Sequence, residues 1–538
     1  MSEWINRREK VLTGLGLLVL LLVSLYVRLA DFKTLYPYFI YQDELRHAQA
    51  SLHLIRERTL KPDFYLYPHF TIYATALTYG GYFLAQDYRE ALATRSLDPV
   101  VESAKKFDEK SWTSLKIERG LALGFGLLAV FAFFLLARSL LGNGFGLVAA
   151  FLFSLLPLCV SFSHLAKVDM LMVCLIIISW IFQLNLIRHG KVRDYILAGI
   201  LAGLVFDCKV NAMSMVSLLM CMVIRARLES AAGLRQIIDR RFLAAILAVG
   251  LATYLFSPYY FSDLSRALES VGWMYFAGDW VPYFHFDPHH WWLDKYYYSL
   301  TVILPSMVGM PVWILAVLGI ALKIIKNDWA EWLLLLANFF AFVYIFDSTA
   351  GSYYYYLFFS ALPYIALFAA AFLKWVFQKT SGPGKTMVLA IAVLLVIGGL
   401  ARSRFYELMN FSAYEQAGRY LSENLRPGSR VLCFSVYLPG AGLDRLALKE
   451  AWPQDLSKPM VEKENPDYIL VDRWNFAGFE KIYREQLPIA GYLKELLAGQ
   501  WGYRPVQRFA VRYPSDYFYS ALDPEFVVEL DLLKRSGD

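Results

Sequence analysis

Residues 11–30 read VLTGLGLLVLLLVSLYVRLA, and the stretch that follows at 38–50, YFIYQDELRHAQA, places two carboxylates, Asp43 and Glu44, side by side. A run of about 20 apolar residues is long enough to cross a bilayer. No small-residue cleavage site follows it, so we predict an uncleaved first membrane helix. Adjacent carboxylates just past such a helix are poor packing material, because each is better solvated than buried. Their position indicates chemistry.

The composition indicates an integral membrane protein. Of the 538 residues, 58% are hydrophobic, 17% are aromatic and only 18% are charged, and the mean hydropathy is +0.42, outside the range of ordinary soluble domains. The net charge of +6 comes from basic residues scattered in short loops between apolar runs. Nucleic-acid binding would need a basic stripe, so we interpret the surplus as a topology signal. The five cysteines predict no disulfide framework.

Hydropathy predicts eleven membrane spans. They lie near 11–30, 118–138, 144–162, 168–187, 194–208, 210–225, 241–258, 302–323, 329–346, 353–374 and 386–401. The segment 67–85 is a twelfth candidate, but a span there would invert every later loop.

The distribution of basic residues orients these spans. With a cytoplasmic N-terminus, the short inner loops hold most of the arginines and lysines, and the short outer loops hold only Lys167, Lys209, Arg266 and Lys295. This asymmetry obeys the positive-inside rule, so we expect 67–85 to lie on or dip into the outer interface. Three large pieces then face outward: 31–117, 259–301, and the chain after about residue 402.

Residues 402–538 have the composition of a separate soluble domain. Helical patterning covers 412–425, and two short β-like runs, 430–436 and 467–472, each follow turn residues. We predict a small α/β domain. Gly440 and Gly442 form at most a lone Gly-x-Gly, a weak signal for a nucleotide loop.

Charged residues near membrane ends are the candidate functional residues, since each is costly to insert. Arg119 opens the second span, Lys167 and Asp169 open the fourth, and Lys209 ends the fifth. They share one predicted membrane level with Asp43 and can converge on one cavity. Simpler interpretations stay open: Arg119 and Lys167 as snorkelling interfacial residues, Asp169 as a helix-dipole partner, and Lys209 as the partner of Asp207 in a local ion pair.

Histidines and aromatic residues on the outer side supply a second set of candidates. Tyr67 and His69 open the interfacial segment, and His289 and His290 lie in the second outer loop beside Asp287. A satisfied interfacial histidine explains His69 equally well. Consecutive histidines diverge on a helix, which argues against a metal site at 289–290. The tyrosine run 353–356 and the tryptophans 291–292 fit an aromatic belt, with sugar stacking as the sharper alternative.

The order of these motifs resembles the GT-C superfamily of polyprenyl-phosphate-sugar glycosyltransferases, over roughly residues 10–375. The branch with protein O-mannosyltransferases and lipid A aminoarabinose transferases is the most similar. Residues 67–70 read YPHF where that family has HisProProLeu, so the role of His69 is open. The TrpTrpAspTyrGly motif of the oligosaccharyltransferase branch is absent from the sequence; HWWLD at 290–294 differs from it.

The resemblance implies roles for individual residues. Asp43 matches the catalytic aspartate, Glu44 its acidic neighbour, and Asp169 the aspartate that opens the fourth span. Lys209 and Arg119 match cations associated with the donor phosphate, and Lys167 joins them. Tyr67, His69, His289 and His290 are then expected in the substrate cavity.

The implied reaction transfers a hexosyl or pentosyl group from a polyprenyl monophosphate to a hydroxyl of a protein, lipid or glycan. Asp43 is the expected general base. Fixed cations suffice for a monophosphate leaving group, so no cofactor is required, although Glu44 and Asp169 are the carboxylates that could hold Mg²⁺ or Mn²⁺.

Rival functions are a lipid-linked-sugar transporter or flippase and a non-catalytic binder of such a lipid. The sequence shows no matching halves, and its charges cluster at one face instead of the midplane. The absence of an inserted soluble domain between spans favours a prokaryotic plasma membrane.

Overall fold

The computed structural model describes residues 2–30, 42–65, 67–109, 111–163, 168–209, 213–229, 238–275, 300, 304–326, 332, 335, 339, 360–410, 412–434, 443–451, 455–473, 489–512 and 527–536. The chain divides into two compact units. The first holds most of the chain up to Arg404, and the second holds Phe405–Asp538.

The described part of the first unit is helical. Its helices are α1 (Ser2–Ala30), α2 (Gln42–Arg56), α3 (Phe70–Thr94), α4 (Asp98–Lys106), α5 (Trp112–Leu141), α6 (Asn143–Ser154), α7 (Pro157–Ser161), α8 (Val168–His189), α9 (Val192–Lys209), α10 (Met213–Glu229), α11 (Arg240–Phe256), α12 (Pro258–Ser262), α13 (Leu264–Tyr275), α14 (Leu304–Val308), α15 (Met310–Lys326), α16 (Leu362–Lys379) and α17 (Pro383–Asn410), which runs on past the unit boundary. One apolar core joins α5, α6, α8, α9 and α16.

Four described helices are long and apolar enough to cross a membrane, by length and composition. They are Glu9–Ala30, Trp112–Leu141, Asp169–His189 and Pro383–Ala401. Asn143–Ser154 and Met310–Ile325 are shorter apolar helices. These helices support a multi-pass membrane protein, and the count of eleven spans stays a prediction. Helix α3 is continuous from Phe70 to Thr94, longer than the interfacial segment expected at 67–85.

The predicted span 144–162 is two helices in the structure, α6 and α7. The first ends at Ser154, and the second begins with Pro157 in its first turn. Proline has no N–H to donate to the preceding turn and its ring clashes with that turn, so it starts a helix well and continues one poorly. Hydropathy alone does not detect this break, because both pieces are apolar.

Helices α9 and α11 touch through small residues. A Cβ atom on Gly199 would lie 2.5 Å from the Ala245 carbonyl oxygen, and one on Gly203 would lie 2.8 Å from the Val249 carbonyl oxygen. Small residues let helix backbones approach this closely, and the dispersion contacts they allow are a main source of helix association in lipid. The two helices therefore pack as a tight pair.

An ionic cluster joins the ends of α8 and α10 to the start of α11. Glu229 accepts hydrogen bonds from Arg225 Nε at 2.8 Å and from Arg241 Nη2 at 2.5 Å. The hydrogen bond from Arg241, more than any other contact, stabilises the charged carboxylate and so lowers the pKa of Glu229 to about 2. Asp239 caps α11 by accepting from the backbone N–H groups of residues 241 and 242. Gly190, between α8 and α9, has φ +63° and abuts the Arg225 guanidinium.

The second unit is an α/β domain. Its five strands are β1 (Arg430–Phe434), β2 (Ala447–Ala451), β3 (Tyr468–Asp472), β4 (Tyr503–Arg512) and β5 (Val527–Arg535), in the order β2-β1-β3-β5-β4. Strands β1, β2 and β3 are parallel, and β5 is antiparallel to both β3 and β4. The helices are α18 (Ser412–Asn424), α19 (Lys458–Glu464) and α20 (Ile489–Leu497). The cores on the two sheet faces include Leu470 and Leu530 on one side, Ile469 and Leu533 on the other.

The sequence predicted three of these elements. Helix α18 and strands β1 and β3 lie within the ranges expected from the sequence, 412–425, 430–436 and 467–472. Strands β2, β4 and β5 were missed.

Candidate functional site

An ion pair joins Asp169 to Lys209. The Lys209 Nζ atom lies 2.7 Å from Asp169 Oδ1, and the two side chains are 20% and 5% exposed. Asp169 stands in the first turn of α8 and Lys209 ends α9, where the helix dipoles favour an anion and a cation respectively. The local ion pair with Asp207 that the sequence allowed for Lys209 is therefore replaced by a pair with Asp169.

An aromatic group covers the ammonium of this pair. Lys209 Nζ lies 5.9 Å from the ring centroid of Tyr67, within cation–π range. The Tyr67 ring is parallel to that of His47, with centroids 6.0 Å apart, and Phe64 packs edge-on against both. His47 and Tyr67 are buried. The chain of contacts therefore runs from α8 through α9 and Tyr67 to α2.

Helix α2 also holds the two carboxylates. Asp43 and Glu44 lie in its first turn, and their side chains are outside the described residues. Residue 43 precedes His47 by four positions, and positions i and i+4 share one helix face. The backbone thus places Asp43 one turn from the residue that stacks on Tyr67. Sequence reasoning missed His47, although the same four-residue spacing was available to find it.

Arg119 is fully buried in α5 instead of snorkelling to the interface. The adjacent Glu118 accepts a hydrogen bond from the Tyr79 hydroxyl at 3.0 Å, and Tyr79 also contacts the Ser114 hydroxyl. These contacts tie α5 to α3. Glu118 therefore lies at a joint between helices, and a direct role of Arg119 at the donor phosphate stays a prediction.

A second buried arginine, Arg28, was not among the predicted candidates. Its Nε atom donates to the Ser163 hydroxyl at 3.0 Å and its Nη1 atom to the Ser24 hydroxyl at 2.6 Å. Ser163 in turn contacts the sulfur of Met170, the residue after Asp169. Arg28 thus links the end of α1 to the start of α8. A charge in the last turn of an otherwise apolar span was the signal for it.

His69 is fully buried among three tyrosines, Tyr65, Tyr73 and Tyr260. Burial lowers the pKa of its imidazole to about 4. The Phe64 carbonyl is its polar neighbour, but neither ring nitrogen makes a well-formed hydrogen bond to a described residue. Its backbone N–H donates to the Ser257 hydroxyl at 3.0 Å. His69 therefore joins the loop before α3 to the end of α11.

Three other predicted site residues lie outside the described part of the chain: Lys167, His289 and His290. Within the described ranges, no group of three histidine, cysteine, aspartate or glutamate side chains has the arrangement of a metal site. Asp169, one of the two carboxylates considered for Mg²⁺ or Mn²⁺, has Lys209 as its partner. All five cysteines are buried.

Comparison with known proteins identifies the architecture. A family model described as dolichyl-phosphate-mannose-protein mannosyltransferase matches residues 120–260, about a quarter of the chain. No curated protein sequence gives a significant match. Among solved structures, the oligosaccharyltransferase of Archaeoglobus fulgidus, tethered with an acceptor peptide containing the NVT sequon, matches with a TM-score of 0.50 at 13% identity. The match covers 89% of this chain and 72% of that one.

The chain has the GT-C fold. ArnT from Cupriavidus metallidurans, solved bound to undecaprenyl phosphate, covers 99% of this chain and 98% of its own at 14% identity, with a TM-score of 0.47. The archaeal oligosaccharyltransferase AglB, solved with an inhibitory peptide and a dolichol-phosphate, covers 86% and 69% at 12% identity, with a TM-score of 0.48. The predicted resemblance to GT-C glycosyltransferases is confirmed. The range that the family model matches, 120–260, contains Asp169 and Lys209.

Proposed function

We propose that this protein is an inverting glycosyltransferase that moves a sugar from a polyprenyl monophosphate to an acceptor hydroxyl at the extracytoplasmic membrane face. The observation that carries the proposal is the Asp169–Lys209 ion pair covered by Tyr67. It offers a fixed, partly exposed ammonium in a chain with the GT-C fold. The solved relatives bound to undecaprenyl phosphate and dolichol-phosphate support a lipid-phosphate donor.

The reaction is a single displacement. The acceptor oxygen attacks C1 of the sugar from the side opposite the phosphate, and the Asp43 carboxylate takes the proton of the attacking hydroxyl. The bond from C1 to the phosphate oxygen breaks, and the polyprenyl monophosphate leaves with the bonding electrons. Attack from the opposite face inverts the anomeric centre.

Lys209 meets the charge that develops on the leaving phosphate. An ammonium already held in place needs no rearrangement during the reaction, and removing one such donor from a transition state costs about 10² to 10³ in rate. Asp169 holds the ammonium in place. Arg119 and Lys167 are the further cations we propose for the donor, and Glu44 the acidic neighbour of the base. Fixed cations of this kind make a metal unnecessary in the proposal.

The rest of the chain frames this site. We propose that 67–85 and 259–301 form its walls and that His69, His289 and His290 belong to its cavity. The division into a catalytic part, 1–401, and an outer domain, 402–538, is part of the proposal, and selection of the acceptor is the role we propose for the outer domain. We also propose that the N-terminus is cytoplasmic and that the protein lies in a prokaryotic plasma membrane.

A transfer assay tests the proposal. Purified protein in detergent is mixed with a panel of radiolabelled polyprenyl-phosphate sugars and a crude membrane extract as acceptor, beside Asp43→Asn and Asp43→Glu. Label should enter the extract with the parent protein and at least a hundredfold more slowly with Asp43→Asn. Binding of the donor without transfer of any sugar would instead favour the carrier or flippase.

A further inference from the structure

Three rings form a packed cluster between α2 and the segment that leads into α3. The rings of His47 and Tyr67 are parallel, with centroids 6.0 Å apart, and Phe64 packs edge-on against them at 5.7 Å and 5.9 Å. His47 and Tyr67 are 4% and 7% exposed. Parallel and edge-on pairs at these separations are the favourable arrangements of aromatic rings. The cluster therefore fixes the orientation of the Tyr67 ring.

The Tyr67 ring connects this cluster to the ion pair of the site. Lys209 Nζ lies 5.9 Å from the ring centroid, and the same ammonium lies 2.7 Å from Asp169 Oδ1. His47 thus contacts the residue that covers the lysine proposed for the leaving phosphate. Only one side chain, that of Tyr67, stands between His47 and Lys209 in this series of contacts.

His47 is tied to the proposed base through its own helix. Asp43 precedes it by four residues, so the two positions lie one turn apart on one face of α2. Among the side chains of α2 that the structure describes, His47 is the first buried one. One turn further on, the Ser51 hydroxyl donates to the Ile72 carbonyl at 3.1 Å. The ring of His47 therefore anchors the turn of α2 that follows Asp43.

The proposed base and the proposed cation act on opposite sides of the reacting carbon. In an inverting displacement the attacking hydroxyl and the leaving phosphate lie in line through C1, so Asp43 and Lys209 have to be held at a fixed separation. A misplacement of about 1 Å can cost about a hundredfold in rate. We infer that His47 is a positioning residue, which sets the separation between the helix of the base and Lys209 through its stack on Tyr67. The flat ring is the part of the side chain that this role needs.

This inference rests on the proposed function, and its variants isolate the ring. His47→Ala removes the ring, and His47→Leu keeps apolar bulk without a flat face. His47→Phe keeps the flat ring and is the conservative variant. His53→Ala changes the other histidine of α2, which lies six residues further on and so on a different face of the helix. It is the matched control.

Each variant is assayed for sugar transfer, for binding of undecaprenyl phosphate in detergent and for thermal unfolding, with kcat expressed per folded molecule. We expect kcat to fall roughly tenfold to a hundredfold in His47→Ala and His47→Leu. His47→Phe should restore kcat to within about threefold of the parent, and His53→Ala should stay within about twofold. Undecaprenyl phosphate should bind about twofold to tenfold more weakly to His47→Ala, as for the loss of one stacked ring pair.

A double-mutant cycle tests whether His47 acts through Tyr67. Tyr67→Leu should lose kcat in the same range as His47→Ala, because it breaks the same series of contacts. Adding His47→Ala to Tyr67→Leu should then change kcat by less than about threefold, since coupled residues are not additive. Two losses that multiply would show independent action and would overturn the inference.

Two results with the single variants would also overturn it. One is a His47→Ala enzyme with the parent kcat per folded molecule. The other is a loss in His47→Phe as large as that in His47→Ala, because a flat ring would then not suffice. Failure of the parent protein to transfer any sugar overturns the proposed function instead. Binding of undecaprenyl phosphate then decides the role of His47: weaker binding to His47→Ala supports its hold on Tyr67 and Lys209, and equal binding overturns it.

Discussion

The Nζ atom of Lys209 lies 2.7 Å from Oδ1 of Asp169, so a largely buried ion pair joins the end of α9 to the first turn of α8. Removing one member of a buried pair leaves its partner uncompensated, which is costlier than the pair itself is stabilising. We therefore expect single substitutions in this pair to affect both stability and rate.

Lys209→Met should lower kcat by about 10² to 10³, because the leaving phosphate loses its ammonium. Lys209→Arg keeps the positive charge in a different geometry, so its kcat should lie between that of the parent and that of Lys209→Met. The double variant Asp169→Asn with Lys209→Met should unfold at a higher temperature than Lys209→Met alone, since no unpaired carboxylate is left. A Lys209→Met enzyme with parental kcat contradicts the phosphate role.

Tyr67→Leu should weaken binding of the donor because the ring above the ammonium is lost. Cation–π contacts contribute about 0.5 to 2 kcal/mol, which corresponds to a rise in the donor KM of about twofold to thirtyfold. Tyr67→Phe keeps the ring and is the control, expected within about twofold of the parent. Equal donor KM values for Tyr67→Leu and Tyr67→Phe would show that the aromatic ring does not contribute to donor binding.

His69→Phe should flatten the dependence of stability on pH between 6.5 and 4. The pKa of His69 falls from 6.5 to about 4 on folding, so over that window the unfolded chain binds a proton that the folded one does not. Stability is then full above pH 6.5 and falls as the pH drops toward 4, by at most about 3 kcal/mol at roughly 1.4 kcal/mol per pH unit. Thermal unfolding of parent and variant across pH 4–7 measures the difference; parallel curves contradict it.

Gly190→Ala should destabilise the helical unit by about 1 to 2 kcal/mol. Its φ of +63° is unfavourable for any residue with a Cβ atom, and that atom would meet the Arg225 guanidinium at 2.6 Å. Gly250→Ala in α11 has open space around the new methyl group and should be neutral or slightly stabilising. Thermal unfolding compares them, and a Gly190→Ala protein as stable as Gly250→Ala contradicts the argument.

Membrane topology and the helix period together explain how much of the site could be predicted from the sequence. Asp169 and Lys209 were expected on one membrane level because basic residues mark the inner loops. The partner expected for Lys209 in a local ion pair was Asp207, but residues two apart on a helix point to different faces. The same rule places Asp43 and His47 on one face. What the sequence could not show is the depth at which Arg119 and Arg28 are buried, because that depends on which helices surround them.

The strands that sequence analysis missed have a physical reason. Strands β2 and β4 are the two edges of the sheet, and they carry charged residues and, at 505, a proline, as edge strands do. Strand β5 holds Asp531, which is buried and bonded to Arg473 and Arg508. A buried aspartate reads as a break in an apolar run until its partners, far away in sequence, are known.

The glycine contacts between α9 and α11 also limit how a lipid can reach the site. At Gly199 and Gly203 the backbone of α11 comes close to that of α9, and the side chains nearest to the contact are small ones, those of Ala248, Ala252 and Thr253. An isoprenoid tail cannot wedge these two helices apart without breaking their contact along several turns. We therefore expect a lipid-linked donor to enter from the bilayer between other helices than α9 and α11.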